Sequence, residues 1–188
     1  TPNVCHGDAT GRIQVFATGG VGSYQYRSGE QSWQSIAQFD QLKAGNYTVY
    51  LQDQNGCQTP LLAQILEPSP VRLTTTQVPV RCYGEFNGEV NVLANGGTPG
   101  YQFRRLGDAW QSSGQFAGFG IGQYTFEVRD ANQCQQMVEV EISQPTQLEI
   151  DLTAQVSPRC FEGRDGFIEV QAKGGNSGYH YRMGKIGR

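Results

Sequence analysis

The chain is poor in charge, because Asp, Glu, Lys and Arg make up only 16% of its 188 residues and the formal net charge is −3. A nucleic-acid-binding surface needs a concentration of lysine and arginine, so this composition argues against such a partner. No apolar run has the length of a membrane span, and no signal peptide is recognisable. No stretch has the apolar periodicity of an amphipathic helix. The composition therefore predicts neither a nucleic-acid-binding protein, nor a membrane-spanning segment, nor a helical bundle.

The most informative feature of the sequence is an internal repeat, in which the sequence pattern of one module occurs twice. At least fifteen positions recur 77 residues later without insertion or deletion. A third copy begins with an offset of 78. Repetition at a fixed period indicates an array of similar structural units. The positions of the first copy are Cys5, Gly11, Val15, Ala17, Gly19, Gly20, Tyr24, Trp33, Phe39, Gly45, Tyr47, Asp53, Asn55, Cys57 and Pro68.

The repeat predicts two complete modules and part of a third, at residues 1–68, 71–145 and 147–188. A proline ends each complete copy, and Pro68-Ser69-Pro70 forms a short, stiff connector. We expect the modules to follow one another in an elongated array. We also expect the sequence to be a fragment of a longer protein, since it starts just before one copy and stops within another.

Each copy has the residue pattern of a β-sandwich. Ile13, Val15 and Ala17 alternate with polar residues, as they would on one face of a strand. A glycine two residues before Tyr47, which opens another strand, resembles the tyrosine corner of immunoglobulin-like sandwiches. Glycine-rich turns separate about seven short strands in each copy. The predicted fold is therefore all-β, with tandem immunoglobulin-like β-sandwich repeats.

The cysteines indicate disulfides, because they form no CxxC pair and a zinc site needs clustered ligands. Within each complete copy they lie 52 residues apart. Two arrangements remain open with equal weight. The bonds join Cys5 to Cys57 and Cys82 to Cys134, within copies, or Cys5 joins Cys134 head to tail. A bond closing a loop of 52 residues stabilises a domain by about 4 kcal/mol in the chain-entropy model. The counterpart of the fifth cysteine, Cys160, is expected 52 residues further on, past Arg188.

The acidic turns offer oxygen atoms of the kind that calcium prefers. The candidate ligands are Asp53 and Asn55 in the first copy and Asp130 and Asn132 in the second. The same residue types form turns by bonding their own backbone, and we favour that interpretation over calcium. No twelve-residue loop with a terminal glutamate occurs, so an EF-hand is not predicted. We expect no cofactor other than this less favoured calcium.

The recurring aromatic residues are best explained as core residues, since most of them fall on predicted strands. Trp33 lies in a loop rich in glutamine and serine, and Trp110 holds the equivalent place in the second copy. Exposed tryptophans stack well on sugars. These two are therefore the candidates for a carbohydrate-binding surface.

No catalytic signature is present in the sequence. The two histidines, His6 and His180, lie at non-equivalent positions of the repeat. There is no G-x-S-x-G motif, P-loop or convincing pair of carboxylates. An active site normally breaks the symmetry of a repeat, whereas these copies are alike throughout. We therefore predict that the chain is not an enzyme.

The ordered motifs resemble the SprB repeat. In the first copy they run from Cys5 through the Gly19-Gly20 pair and a Tyr-x-Tyr motif to Ala-Gly-x-Tyr-x-Val and the Asp-x-Asn-Gly-Cys turn that ends at Cys57. The second copy departs from this pattern at residues 83–86 and at Gln133, and the third at residues 161–163. Proteins with this repeat are typically large surface adhesins of gliding Bacteroidetes, exported by type IX secretion. The resemblance implies an extracellular location and transfers no catalytic or ligand-binding residue.

The leading functional hypothesis is a structural and adhesive array, acting as a stalk or filament in surface attachment and gliding motility. Its partners would be further copies of the repeat, surface polysaccharide, and the gliding or secretion machinery. The alternative is an array of carbohydrate-binding modules acting through Trp33 and Trp110. Such an array would also suit an accessory role beside a secreted polysaccharide-degrading enzyme.

Overall fold

A computed structural model describes residues 1–184 of the chain, and these residues form β-strands and connecting turns without any helix. No helix suited to crossing a membrane occurs in this part of the chain. The strands are β1 (Gly11–Gln14), β2 (Gln25–Ser28), β3 (Gln38–Leu42), β4 (Gly45–Gln52), β5 (Gln58–Ile65), β6 (Arg72–Val78), β7 (Gly88–Asn95), β8 (Gln102–Arg105), β9 (Gln115–Phe119), β10 (Gly122–Arg129), β11 (Gln135–Ile142), β12 (Glu149–Val156) and β13 (Phe167–Lys173).

The strands of each complete copy divide into two sheets. In the first copy, one sheet has the order β1-β3 and the other β2-β4-β5. In the second copy the orders are β6-β7-β9 and β11-β10-β8. The first, second and fourth strands of this copy thus share one sheet, and the third, fifth and sixth share the other. This is the strand distribution of an immunoglobulin-like sandwich, so the predicted fold class is confirmed.

The expectation of seven strands per copy was wrong, since the second copy has six. The segment that contains Trp110 forms only an isolated bridge, between Phe103 and Gln111. The first copy has the same bridge between Tyr26 and Gln34. Because a single bridge provides no ladder of hydrogen bonds, this segment stays irregular.

Alternating residues of the strands form the core of the first copy. Ile13, Val15, Tyr26, Phe39, Val49 and Ile65 are buried together. Leu42 is only partly buried against this cluster. Its counterpart in the second copy, Phe119, is 4% exposed and stacks edge to face on Phe126.

Two recurring tyrosines fix the backbone at turns. The Tyr47 hydroxyl donates to the carbonyl of Lys43 at 2.9 Å, and Tyr124 donates to Gly120 at 3.3 Å. This bond to the backbone four residues upstream is the tyrosine corner expected from the sequence. A second tyrosine also recurs, since Tyr101 donates to the carbonyl that opens the Gly-Gly pair of its copy, as its counterparts do in the other two.

A bulge accounts for the change of offset from 77 to 78 in the third copy. Strands β12 and β13 pair antiparallel, with Leu152 opposite Val170 and Ala154 opposite Glu169. The register therefore shifts by one residue at Thr153. A bulge inserts one residue in a strand without disturbing the pairing on either side. The extra residue of this copy is therefore absorbed inside β12.

The described residues divide into two compact units. One contains Thr1–Thr74, Leu93–Ser113 and Glu127–Val138. The other contains Thr75–Val92, Gly114–Phe126 and the described chain from Glu139 onward. Residues of the second copy thus occur in both units. The end of the predicted third copy, residues 185–188, lies outside the described part of the chain.

The Gln133 turn is expected to be strained relative to its counterpart in the first copy. Gln133 has φ of 67° where the first copy has Gly56 at 82°. Both donate their backbone N–H to the aspartate three residues earlier, at 3.0 Å. Because a side chain disfavours this left-handed conformation, Gln133→Gly should raise the free energy of unfolding by about 1 kcal/mol. Gly56→Gln is the matched reverse change and should lower it. Denaturant titration would contradict this interpretation if both substitutions shifted stability in the same direction.

Candidate functional site

The turn that carries the second cysteine of each copy is organised by an aspartate. Asp53 Oδ1 accepts hydrogen bonds from the backbone N–H groups of Asn55 at 3.0 Å and Cys57 at 2.9 Å. Its other oxygen accepts from Val21, in the loop after the Gly-Gly pair, at 3.2 Å. The carboxylate therefore closes the turn and ties it to a neighbouring loop.

The second copy repeats this turn in a more buried form. Asp130 is 1% exposed. Its Oδ1 accepts from the N–H groups of Asn132 and Cys134, both at 2.9 Å, and its Oδ2 accepts from Thr98 at 2.8 Å. The substitution of glycine by Gln133 leaves the turn unchanged. All three aspartate-centred bonds thus persist despite this departure from the repeat pattern.

These bonds make the first-copy turn sensitive to acid. Hydrogen bonds from the backbone of Cys57, and then of Val21 and Asn55, lower the pKa of Asp53 below its ordinary value of 3.8. A carboxylate with a lowered folded-state pKa stabilises the fold above its unfolded pKa, and this contribution is lost as the pH falls through the folded value. Asp53→Asn should therefore flatten the fall in stability below about pH 4. Unfolding curves between pH 6 and 2.5 would test this, and an unchanged slope would contradict it.

The structure holds one disulfide, between Cys5 of the first copy and Cys134 of the second. Their Cα atoms lie 5.6 Å apart, and 129 positions separate them in sequence. Cys57, Cys82 and Cys160 are free and exposed. Of the two arrangements that the sequence left open, the structure therefore contains the head-to-tail bond. The within-copy pairs Cys5–Cys57 and Cys82–Cys134 are not formed.

Strand direction explains why the within-copy pair is not formed. Gly11, just after the first cysteine, pairs with Leu42, and β4 begins three residues later at Gly45. The eight residues of β4 then carry the chain about 26 Å away before the turn that holds Cys57. A disulfide needs Cα atoms within about 7 Å. The two cysteines of the first copy thus lie at opposite ends of their sandwich.

Polar contacts surround the disulfide. The Asn132 side-chain amide donates to the carbonyl of Val4 at 3.4 Å and to Thr98 Oγ1 at 2.9 Å. On the other side, Gly7 N–H donates to Glu67 Oε2 at 2.7 Å, and His6 Nδ1 lies 3.2 Å from Glu67 Oε1. The Cys5 turn is therefore held both by its own copy and by the following one.

The two tryptophans are half-buried and stack against arginines. Arg27 lies over the Trp33 ring, 4.9 Å from its centroid. Trp110 contacts two guanidinium groups, of Arg104 and Arg129, each at 4.4 Å. A sugar stacking on these rings would compete with a cation–π contact. Carbohydrate binding at Trp33 and Trp110 stays a prediction.

Sequence analysis missed these arginines, although a signal was present. Arg27 and Arg104 hold equivalent positions, and Arg182 recurs in the third copy. In the second copy Arg104 is ion-paired with Glu127, which is 5% exposed. Tyr50 replaces that glutamate in the first copy, where Arg27 lies 4.7 Å from its ring centroid. The recurrence of an arginine directly after the Tyr-x-Tyr or Tyr-x-Phe motif of each copy was therefore the observable sign of a stacked arginine.

Three of the four predicted calcium ligands, Asp53, Asp130 and Asn132, have side chains with structural roles in the turns. The Asp53 and Asp130 carboxylates accept backbone hydrogen bonds, and the Asn132 amide contacts the Val4 carbonyl. Within residues 1–184, no group of three or more His, Cys, Asp or Glu side chains is arranged to hold a metal ion. Calcium binding at Asp53, Asn55, Asp130 and Asn132 stays a prediction.

A family model described as SprB repeat matches residues 1–27 and 74–104. The resemblance to the SprB repeat is confirmed. Each matched segment contains the first cysteine, the following strand and the Gly-Gly pair of its copy. The family match supports a role as an adhesive repeat of a cell-surface protein. The disulfide fits an extracellular location.

Two further comparisons add little about function. No curated protein matches the chain. Among solved structures, the chain is similar to the C-terminal 282-residue fragment of intimin, solved in complex with the intimin-binding domain of the translocated intimin receptor (Tir). The two chains are 13% identical with a TM-score of 0.38, and the match covers 69% of this chain and 54% of the intimin fragment. The chain thus spans about half of that fragment.

Proposed function

We propose that this chain is part of the stalk or filament of a large secreted cell-surface adhesin. The modules occupy residues 1–68, 71–145 and 147–188 and form an elongated array, and their role is to hold a binding region away from the cell under load. The observation that carries this proposal is the covalent link between consecutive copies through Cys5 and Cys134. The recurrence of the module and its match to SprB repeats support it.

The disulfide gives the array a mechanical function that involves no catalysis. Force applied along the chain passes from Cys5 to Cys134 through the bond, so the intervening residues carry no tension along their backbone once the module opens. Hydrogen bonds around the bond, including the one from Gly7 N–H to Glu67, hold the cysteine turn in its folded position. Extension under load is limited by covalent geometry. This property suits a stalk that is loaded along its length, whereas an isolated binding module has no need of it.

The family resemblance suggests gliding motility as the setting of this attachment and type IX secretion as the export route. In that setting the partners are further copies of the repeat, the gliding or secretion machinery, and a polysaccharide or other substratum bound elsewhere on the parent protein. The net charge of −3 argues against nucleic acid as a partner.

A replacement experiment in the parent adhesin tests the stalk proposal. The SprB repeats would be removed from the chromosomal gene, and the gap filled with an equal number of unrelated immunoglobulin-like modules. A stalk acts through length, so the substitute array should restore surface attachment and gliding, while a shortened array should not. Failure of an equally long substitute would overturn the proposal.

A binding experiment addresses the alternative of carbohydrate recognition. The purified 188-residue chain would be applied to a polysaccharide array, beside Trp33→Ala and Trp110→Ala variants whose folding is checked by circular dichroism. The stalk proposal predicts no retention of any of the three proteins. Retention of the wild type that is lost in the tryptophan variants would show that the modules themselves bind polysaccharide.

A further inference from the structure

The free cysteines occupy the same repeat positions as the two bonded ones. Cys82 and Cys160 are the counterparts of Cys5, while Cys57 is the counterpart of Cys134. The bonded pair joins the first cysteine of one copy to the second cysteine of the next copy. Each free thiol is therefore half of a pair whose other half, by repeat position, belongs to a different copy.

The turn around Cys82 already has the conformation of the bonded Cys5 turn. Glu85 N–H donates to the Cys82 carbonyl at 3.2 Å, as Asp8 N–H donates to Cys5 at 3.3 Å. Gly84 N–H donates to Gln144 Oε1 at 3.0 Å. This bond is the counterpart of the one between Gly7 and Glu67 in the first copy. No rearrangement of this turn is needed before a bond forms.

The third copy contacts the Cys82 turn at the point where the second copy contacts the Cys5 turn. The Asn176 side-chain amide donates to the carbonyl of Arg81, the residue before Cys82, at 3.0 Å. At the bonded junction, the Asn132 amide donates to the carbonyl of Val4, the residue before Cys5. The two asparagines hold different repeat positions, since Asn176 is the counterpart of Thr98, but both belong to the following copy and contact the same carbonyl. The second junction has this contact and an exposed thiol but no disulfide.

The turn around Cys57 likewise matches that of its bonded counterpart. Asp53 N–H donates to the Cys57 carbonyl at 3.1 Å, and Asp130 N–H donates to Cys134 at 3.0 Å. Each aspartate also accepts the N–H of its cysteine at 2.9 Å. The Cys57 thiol is therefore presented on the same scaffold that presents Cys134 to the preceding copy.

We propose that Cys57 and Cys82 are sites of further head-to-tail disulfides with neighbouring copies of the repeat. Cys82 bonds the second cysteine of the following copy, and Cys57 bonds the first cysteine of the preceding copy. For each bond, two thiols release two protons and two electrons. The electrons pass to a disulfide-class oxidant, which becomes two thiols as the new S–S bond forms. The proposal rests on the array described above, since it requires adjacent copies.

A chimera that completes the third copy tests the assignment of Cys82. Residues 1–182 would be followed by a second copy of residues 105–146, which restores the missing part of the module and supplies a duplicate of Cys134. After refolding with oxidised glutathione, free thiols would be alkylated and disulfides mapped by mass spectrometry without reduction. Cys82 should be bonded to the duplicated cysteine, and the Cys5–Cys134 bond serves as an internal control for correct folding.

Matched controls make the result decisive. The same chimera with serine in place of the duplicated cysteine should leave Cys82 alkylated, as should the 188-residue chain itself. An alkylated Cys82 in the intact chimera, or its bonding to Cys57 or Cys160, would overturn the proposal when the Cys5–Cys134 bond is present. Because this assay measures bonding and not attachment, its failure is distinguishable from failure of the stalk proposal.

A second chimera tests Cys57 in the same manner. Duplication of residues 1–77 ahead of Thr1 places a copy of Cys5 one repeat before the existing one. Cys57 should then lose its reactivity toward the alkylating agent and appear in a bond with the duplicated Cys5. Persistent alkylation of Cys57 in a protein that retains the Cys5–Cys134 bond would refute this half of the proposal.

Discussion

Reduction of the disulfide is expected to lengthen the fully unfolded chain by about 450 Å when it is pulled from its two ends. The bond spans 129 positions, and an extended chain measures about 3.3–3.6 Å per residue. While the bond is intact, residues between Cys5 and Cys134 cannot extend between the pulling points. Single-molecule force spectroscopy of the 188-residue chain, with and without reductant, measures this difference directly.

Two variants show which bond produces the effect. Cys134→Ser should give the long contour length without reductant, whereas Cys57→Ser should leave the short one unchanged. Within-copy bonds would instead release two separate lengths of about 180 Å each, since their cysteines are 52 residues apart. Equal contour lengths in oxidised and reduced protein would contradict the head-to-tail bond.

Local patterns in the sequence were sufficient to predict the fold class. Strand alternation at Ile13 and Val15 places both side chains in the core, because successive residues of a strand face opposite sides. The glycine before Tyr47 predicts the tyrosine corner, which depends only on residues a few positions apart. Structural features that depend on residues close together in sequence can therefore be predicted from the residue pattern.

The disulfide pairing could not be predicted because spacing carries no information about which ends of two sandwiches meet. Cys57 and Cys134 hold the same repeat position and lie in the same aspartate-centred turn, yet only Cys134 is bonded. The partner of Cys134 is the first cysteine of the preceding copy, 129 positions away in sequence. The contact between Arg129 and Trp110 was missed for a related reason, since Arg129 lies on β10 and is well separated in sequence from that ring.

Asp130→Ala is expected to destabilise the chain by about 3 kcal/mol, the largest loss among single changes at the turns. Asp130 is almost fully buried and satisfies three backbone N–H groups, of Asn132, Cys134 and Thr98. Hydrogen bonds to a charged group contribute about 1.5–3 kcal/mol each, and a buried donor left without a partner adds a desolvation cost. Denaturant unfolding monitored by circular dichroism measures the loss.

The equivalent substitution in the first copy provides the control. Asp53→Ala removes the same set of bonds from a more exposed turn, where water replaces the lost acceptor, so its cost should be clearly smaller. Asp130→Asn keeps an acceptor oxygen and should recover part of the loss. The Asp130→Ala protein should also reoxidise more slowly, because Cys134 is no longer held in its turn. Equal losses for the two alanine variants would show that burial does not set the strength of this turn.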